Sequence, residues 1–406
     1  MAGVTPTTLA SRLTRVQSFK ETVWGTPGLA TARWMAVKPT PTFTPILKNS
    51  FVDEDRGSFA PAFINYVPET GGAFNIDSVA TFEDIIFGLS GVMGAVTPTG
   101  GPAYVYSFAA PLTSAWAPQS YSLELAYDIA TILATGCLTN KLSIKFNAKN
   151  VWELTQSGFF QQLNQYAAIS IASSTNASPI EITTATPLPS TLITGAQVVI
   201  AGHLVNTAAN GTWTIIKTGA STFTLTGSTG NGIGAATGTV TQSVTPGISD
   251  RTVEPILFAG ETALAIDAAA GTVGSTSVPN AFVSGQLDID NQQQGFFTGD
   301  QKYPIDWSQD KFKVTLTLRL KWNAQVKALY NTKWSAGLST LFQIKATSGN
   351  KIAQLDFSGA LSSDPQNYQM DYGAITQEFK FDGIYDIGAF ANSLKATITN
   401  GVSAMP

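Results

Sequence analysis

Residues 310–334 constrain the fold of this chain more than any other stretch of its sequence. Basic or hydroxyl side chains alternate there with apolar residues. The apolar residues are Phe312, Val314, Leu316, Leu318, Leu320 and Trp322. Because successive side chains of a strand point to opposite faces, this pattern predicts a long strand with one apolar face and one polar face. Val326, Leu329 and Tyr330 follow at helical spacing, which predicts a short helix directly after the strand.

The same strand–helix order occurs earlier in the chain. Residues 73–79 alternate more weakly, and a helical stripe then runs through Phe82, Ile85, Ile86 and Leu89. Thr81 is suited to cap the start of this helix, and Gly91 and Gly94 to end it. A further strand-like run follows each unit, at residues 104–108 and 341–346. Two explanations stay open, an internal duplication or a coincidence, because residue identity between the units is poor.

Composition excludes several classes of protein. Hydrophobic residues make up 44% of the chain, which argues against disorder. Charged residues make up only 12%, about half the usual share, and this favours a chain that hides much of its surface in an assembly. The net charge of −4 predicts no bulk attraction to nucleic acid. No apolar run is long enough to cross a bilayer and no secretory signal is visible, so no membrane partner is expected.

Few residues could carry catalysis. Cys137 and His203 are the single cysteine and histidine of the chain and lie far apart, so Cys–His or Ser–His–Asp catalysis is not expected. Cys137 is predicted to be a buried small residue, and His203 an exposed loop residue. Asp288 and Asp290 would share one face of a strand, where they could bind a cation or act as an acid–base pair, but a solvated face is favoured. We therefore predict no enzyme, with no catalytic, cofactor-binding or metal-binding residues and no cofactor.

The chain divides into four parts. Residues 1–60 are predicted to form an extended arm, because prolines there forbid long helices and central strands. Residues 61–170 and 245–400 carry the two strand–helix units. Residues 178–244 are almost free of charge and rich in Thr, Gly and Ala, and their even strand spacing predicts a small β-barrel or sandwich. Within them, Asn210-Gly211 is a hairpin signal.

Two amphipathic runs flank Gly136. Residues 121–127 alternate apolar and polar side chains, and so do residues 141–146. Antiparallel sheets with one buried face show this alternation. The two runs are therefore predicted to be neighbouring antiparallel strands joined through Gly136.

One N-terminal phrase resembles the start of a known family. Residues 20–27 read Lys-Glu-Thr-Val-Trp-Gly-Thr-Pro, and they precede a strand-like run at 33–38 and then Arg56-Gly57. This order resembles the major tail tube proteins of long-tailed bacteriophages. The resemblance continues through residues 71–74, 82–91, 104–108, 120–125 and 135–144, and covers 283–400 in the second half. The chain lacks the Tyr that the family often has before Gly-Cys and has Lys141 where the family has Ser.

The charge-poor segment resembles a different module. Residues 194–202 and 206–215 are similar to a module recurrent in phage structural proteins, which is itself similar to the first catalytic-cysteine half-domain of ubiquitin-activating enzymes. The segment contains no cysteine, so the similarity carries no chemistry. Because it interrupts the tail tube resemblance, residues 178–244 are predicted to be a domain inserted into a surface loop.

The tail tube resemblance implies a fold and a role. It implies a mainly β chain with minor α content, a tail tube β-sandwich or barrel with one short helix per unit, and a structural role without enzymatic activity. Copies would form rings, as trimers with pseudo-sixfold symmetry or as hexamers, and the rings would stack into a tube in the virion after assembly in the host cytoplasm. The implied partners are tape measure, tail terminator and distal tail proteins, with double-stranded DNA passing non-specifically through the lumen. A β-sandwich adhesin or carbohydrate-binding module is the alternative.

Overall fold

The computed structural model confirms the mainly β fold with short helices. It describes residues 15–26, 32–35, 37–38, 41–46, 50–52, 64–67, 69–101, 103–113, 117–126, 131–147, 149–166, 168–189, 192–234, 236–244, 255–299, 301–363, 365, 368–371 and 373–404. Arg56-Gly57 lies outside the described residues. None of the helices in this described part is long and apolar enough to cross a membrane.

The elements fall into two units and a barrel. Unit 1 contains β1 (Arg15–Lys20), β2 (Ala32–Met35), β3 (Thr42–Pro45), β4 (Ser50–Val52), β5 (Ile64–Tyr66), β6 (Gly72–Val79), α1 (Ile85–Met93), β7 (Tyr104–Ala109), β8 (Tyr121–Ala126), β9 (Thr131–Asn147), β10 (Glu153–Phe160) and β11 (Gln162–Gln165). The barrel contains β12 (Ile169–Ser174), β13 (Glu181–Thr184), β14 (Gln197–Ala201), β15 (Gly211–Lys217), β16 (Thr222–Leu225) and β17 (Thr239–Val244). Unit 2 contains β18 (Thr262–Ala268), β19 (Phe282–Asp290), β20 (Gln293–Phe296), β21 (Asp306–Gln309), β22 (Lys313–Lys321), α2 (Ala324–Thr332), β23 (Thr340–Ser348), β24 (Lys351–Leu361), β25 (Gln369–Asp371), β26 (Ala374–Gly383) and β27 (Leu394–Asn400).

The two units share one strand topology. In unit 1 the strands pair in the order β1-β8-β9-β10-β6-β3, and β9 also pairs with β11. In unit 2 the order is β18-β23-β24-β26-β22-β19, and β24 also pairs with β27. Corresponding strands occur in the same order along the chain, and each unit has its α-helix at the same point. This agreement favours duplication over coincidence.

The correspondence corrects one predicted match. The sequence suggested that residues 104–108 and 341–346 are equivalent runs after the two helices. The pairing shows that β8 is the counterpart of β23, because each pairs with the long strand of its own unit. β7 instead crosses to unit 2 and pairs with the outer edge of β27. This crossing ties the two units together.

The predicted pairing around Gly136 is only partly right: the two runs lie in β8 and β9, which are antiparallel neighbours, but Gly136 does not form the turn between them. β9 runs continuously through Gly136, whose φ of 68° marks an irregularity within the strand rather than a turn. The first half of β9 pairs with β8, and its second half, with Leu142 and Phe146, pairs with β10 and β19. The alternation of apolar and polar residues could not show that the two halves of one strand pair in two different sheets.

The predicted arm is partly a regular strand of the body. β1 pairs with β8 and with β2. The Glu21 carboxylate is buried and accepts hydrogen bonds from Ser122 Oγ at 2.6 Å, from the Gly136 amide at 2.8 Å and from the Gly25 amide at 2.9 Å. Burial raises the pKa of Glu21, although these hydrogen bonds oppose the rise. Together with the hydrogen bond from Trp24 Nε1 to the Gly136 carbonyl (3.0 Å), Glu21 fixes the Lys-Glu-Thr-Val-Trp phrase to β9.

Helix α1 starts later than the sequence predicts. Thr81 Oγ1 accepts from the Asp84 amide at 2.9 Å, but this bond lies in the turn before the helix. Gly91 lies inside α1, and Gly94 ends it. A Cβ at Gly91 would come within 2.7 Å of Thr139 Oγ1, so the glycine lets the helix lie directly on β9.

The inserted segment forms a closed barrel in the order β12-β13-β16-β15-β14-β17. Its first strand begins at Ile169, before the start at 178 that the change of composition suggested. Asn210-Gly211 is not a two-residue hairpin turn, because residues 202–210 connect β14 to β15. The Asn210 side chain instead closes this connection by accepting from the His203 amide and donating to the His203 carbonyl, both at 2.9 Å.

An aromatic cluster fills the core of unit 2 next to α2. Trp334 is fully buried, and its ring centroid lies 4.9 Å from that of Phe379 and 5.1 Å from that of Phe381. Phe342 joins the cluster at 4.6 Å from Phe381. These separations are typical of favourable aromatic pairs. The apolar residues of β22 are buried in the same core as this aromatic cluster.

Candidate assembly surface

The single cysteine and histidine do not form a catalytic pair. Cys137 is buried in β9, as predicted, and burial raises the pKa of its thiol. His203 is buried in the barrel, which contradicts its predicted exposure. Burial lowers the pKa of His203, and its Nδ1 lies 3.4 Å from Thr237 Oγ1. The ring lies against Gly234, where a Cβ atom would clash with it, and the local sequence did not indicate this packing.

Asp288 and Asp290 are engaged by neighbours on the sheet. Gln286 Nε2 lies 2.8 Å from both carboxylate oxygens of Asp288. Lys141 Nζ lies 3.1 Å from Asp290 Oδ2, and Lys313 is opposite Asp290 on the next strand. Within the described part of the chain, no group of three or more His, Cys, Asp or Glu side chains is placed to hold a metal ion. The two carboxylates belong to a charged surface.

That surface is one face of a continuous antiparallel sheet, here called the polar sheet. Its strand order is β3-β6-β10-β9-β19-β22-β26-β25. One face carries the apolar side chains of the core. The other carries the alternate polar positions, which include Asp77, Lys141, Lys145, Glu153, Asp288, Asp290, Lys313, Arg319, Lys321, Glu378, Lys380 and Asp382.

Acidic and basic side chains interleave on this face. Lys145 lies opposite Glu153, and Arg319 lies opposite Glu378. Lys313 and Arg319 of β22 therefore face acidic neighbours within the same chain, whereas Lys321 lies opposite Thr376. Asp306 lies on the separate ribbon formed by β20 and β21.

The polar sheet ends in two open edges. Among the described strands, β3 pairs only with β6, and β25 pairs only with β26. Apolar side chains are exposed beside both edges: Ile46 near β3, and Tyr368, Met370 and Ile375 near β25. Met370 is 77% exposed. Uncovered strand edges with apolar neighbours are sites where another chain can add.

Two strand edges of this kind already pair within the chain, between unit 1 and unit 2. Ser284–Asp290 of unit 2 pairs residue by residue with Asn147–Lys141 of unit 1, which makes the polar sheet continuous across the units. Phe146 and Phe282 pack against each other at this joint in a tilted arrangement, with ring centroids 5.7 Å apart. In the shared topology β19 corresponds to β3. The edge that β24 and β25 form beside β26 corresponds to the edge that β9 forms beside β10. The two open edges therefore correspond to the two strands that pair in the joint within the chain.

The sequence analysis did not identify β25. Three residues are too few to show a reliable alternation, and the strand follows a polar stretch that predicts a loop. Its signal, visible only in retrospect, is the group of apolar residues Tyr368, Met370 and Ile375 in an otherwise polar region.

A surface cavity of about 460 Å³ lies near the start of β22. Pro111, Leu112, Phe312 and Trp307 form its apolar walls, and Gln309 and Asp310 contribute polar groups. This mixture suits a small amphipathic ligand.

Comparison with known proteins adds no identification. No protein-family profile matches the chain, and no curated protein sequence matches it significantly.

Proposed function

We propose that the chain is a self-assembling structural subunit, the major tail tube protein of a long-tailed bacteriophage. Copies join their polar sheets edge to edge into rings, and the rings stack into a hollow tube. The observation that carries this proposal is the joint between β9 and β19, whose two halves recur as the open edges of the same chain. A heterologous contact of this kind closes into a ring when its rotation permits.

The shared topology of the units supports a ring of three chains. Each chain contributes two units of one topology, so three chains give six units around the axis. The joint within a chain and the joint between chains then alternate around a pseudo-sixfold ring. Closing the sheet in this way leaves no free strand edge, as in a barrel formed by one chain.

The polar face is suited to line the lumen. DNA has to slide through a tail tube, and a wall rich in unpaired lysine and arginine would hold its phosphates by counterion release. Here four of the six basic positions named above lie opposite an acidic residue, and Asp290 lies between Lys141 and Lys313. The face therefore offers DNA little net attraction. Tape measure, tail terminator and distal tail proteins are the proposed partners at the tube ends.

The barrel is proposed to decorate the outside of the tube. Its only charged residues are Glu181 and Lys217. It is inserted between β11 and β18, away from the open edges of the polar sheet. The proposed location of the protein is the virion tail, after assembly in the host cytoplasm.

The adhesin alternative has one observation in its favour. The cavity beside Trp307 and Phe312 has aromatic walls and polar groups of the kind that bind sugar rings. Under this alternative the protein would stay dispersed in solution and bind glycans.

Negative-stain electron microscopy of the concentrated purified protein separates the two proposals. We expect rings or tubes, because the two edges of one copy complement those of the next. Dispersed particles at every concentration, together with binding on a glycan array, would refute the tail tube proposal. A chain with Trp307→Ala serves as control, since tube formation does not depend on the cavity and glycan binding would.

A further inference from the structure

We propose that Arg319 is a positioning residue for assembly, which holds β25 in the conformation that the next copy recognises. This inference rests on the proposed function. It concerns the conformation of the β25 edge in the unassembled protein.

Arg319 reaches across the polar sheet from β22 to β25. Its Nε lies 2.8 Å from Asp371 Oδ2 and 3.2 Å from Thr376 Oγ1 on the intervening strand β26. A terminal nitrogen of the same guanidinium donates to Gln369 Oε1. The Thr376 hydroxyl in turn donates to Asp371 Oδ2 at 2.8 Å. One arginine therefore holds both ends of β25, an arrangement here called the Arg319 clamp.

β25 needs such support because it is short. Its ladder with β26 spans only Gln369–Asp371, and ordering each backbone residue costs about 1–2 kcal/mol. Met370 gives little compensation, because it is exposed and so is Ile375, which lies opposite it on β26. Without the clamp, we expect β25 to open without unfolding the body of unit 2.

In unit 1 the corresponding edge strand is stabilised in a different way. There the corresponding edge belongs to β9, a continuous strand of 17 residues that is paired on both sides and covered by Phe282 and Trp152. In unit 1 the length of β9 stabilises the edge strand. In the proposed joint between copies, the Arg319 clamp stabilises the short edge strand β25 instead.

The chemistry of the clamp requires arginine. A planar guanidinium can bind the Asp371 carboxylate and the Gln369 amide oxygen at once, whereas an ammonium group is a compact point charge. Arg319 and Asp371 are both about one-quarter exposed, so salt screens the pair only in part.

The test compares Arg319→Gln with Lys321→Gln. Lys321 lies on the same strand and face, so its substitution removes the same charge without touching β25. We expect Arg319→Gln to raise the critical concentration for tube assembly about tenfold, since β25 must then be ordered on binding. Lys321→Gln should leave the critical concentration within about twofold. Sedimentation of assembled tubes measures both.

Hydrogen exchange gives a readout that a general loss of stability would not. In the unassembled protein, Arg319→Gln should speed exchange at the β25 amides while the amides of β22 and β26 keep their protection. Asp371→Asn provides a second route to the same loss and covers the case in which Arg319→Gln fails to fold. If both folded variants assemble like the parent chain, the clamp inference is wrong and the tail tube proposal stands. If the parent chain forms no tubes, the tail tube proposal itself fails.

Discussion

Replacing Trp334 by alanine is expected to lower the free energy of unfolding by about 3–5 kcal/mol. Trp334 is 1% exposed and contacts the rings of Phe342, Phe379 and Phe381. Its Nε1 also donates to Thr340 Oγ1 at 3.2 Å. Truncation removes the buried ring surface, leaves a cavity among aromatic neighbours and removes the partner of a buried hydroxyl.

Urea denaturation followed by circular dichroism measures this loss. Leu338→Ala is the matched control, because Leu338 lies just beyond Trp334 in the chain and is 54% exposed. Its substitution should change the free energy by less than about 0.5 kcal/mol. If Trp334→Ala costs less than about 1 kcal/mol, the aromatic cluster does not stabilise unit 2 as described.

A chain carrying Thr44→Cys and Met370→Cys is expected to cross-link almost completely between copies once it has assembled. Thr44 on β3 and Met370 on β25 are exposed at the two open edges, and neither side chain takes part in the Arg319 clamp. If the joint between β9 and β19 is repeated between copies, the strands run antiparallel and bring these positions close together. A short bismaleimide reagent should then give covalent dimers and a closed trimer.

Denaturing gel electrophoresis reads out the products. The native Cys137 is buried and should not compete for the reagent. A chain with Thr44→Cys and Leu338→Cys is the control, since Leu338 is exposed but lies outside the strands of the polar sheet, and only background dimers are expected from it. Tubes that form normally without cross-linking at Thr44 and Met370 would place the joint elsewhere.

The sequence predicted the parts of the fold that depend on local periodicity. The alternation from Phe312 to Trp322 identified β22, and the helical stripe through Val326, Leu329 and Tyr330 identified α2. Five of the six barrel strands also lie within residues 178–244, whose even spacing predicted a small barrel or sandwich, whereas β12 precedes them. Each of these elements buries one face, so its pattern can be read from the sequence.

The features that escaped prediction depend on distant partners. The irregularity at Gly136 lets β9 serve two sheets, which alternation cannot show. His203 lies in a connection that the Asn210 side chain closes, and β25 is held by hydrogen bonds from Arg319, fifty residues earlier in the chain. Poor identity between the units also hid their common topology, which became clear only from the order of strand pairing.

The most direct test of the account is the mass per unit length of assembled tubes, measured by scanning transmission electron microscopy. Combined with the ring spacing along the tube, it gives the number of chains per ring. The account predicts three chains, because each chain supplies two units of one topology and ends in the two halves of a further joint. Six chains per ring, or a protein that never assembles, would contradict it.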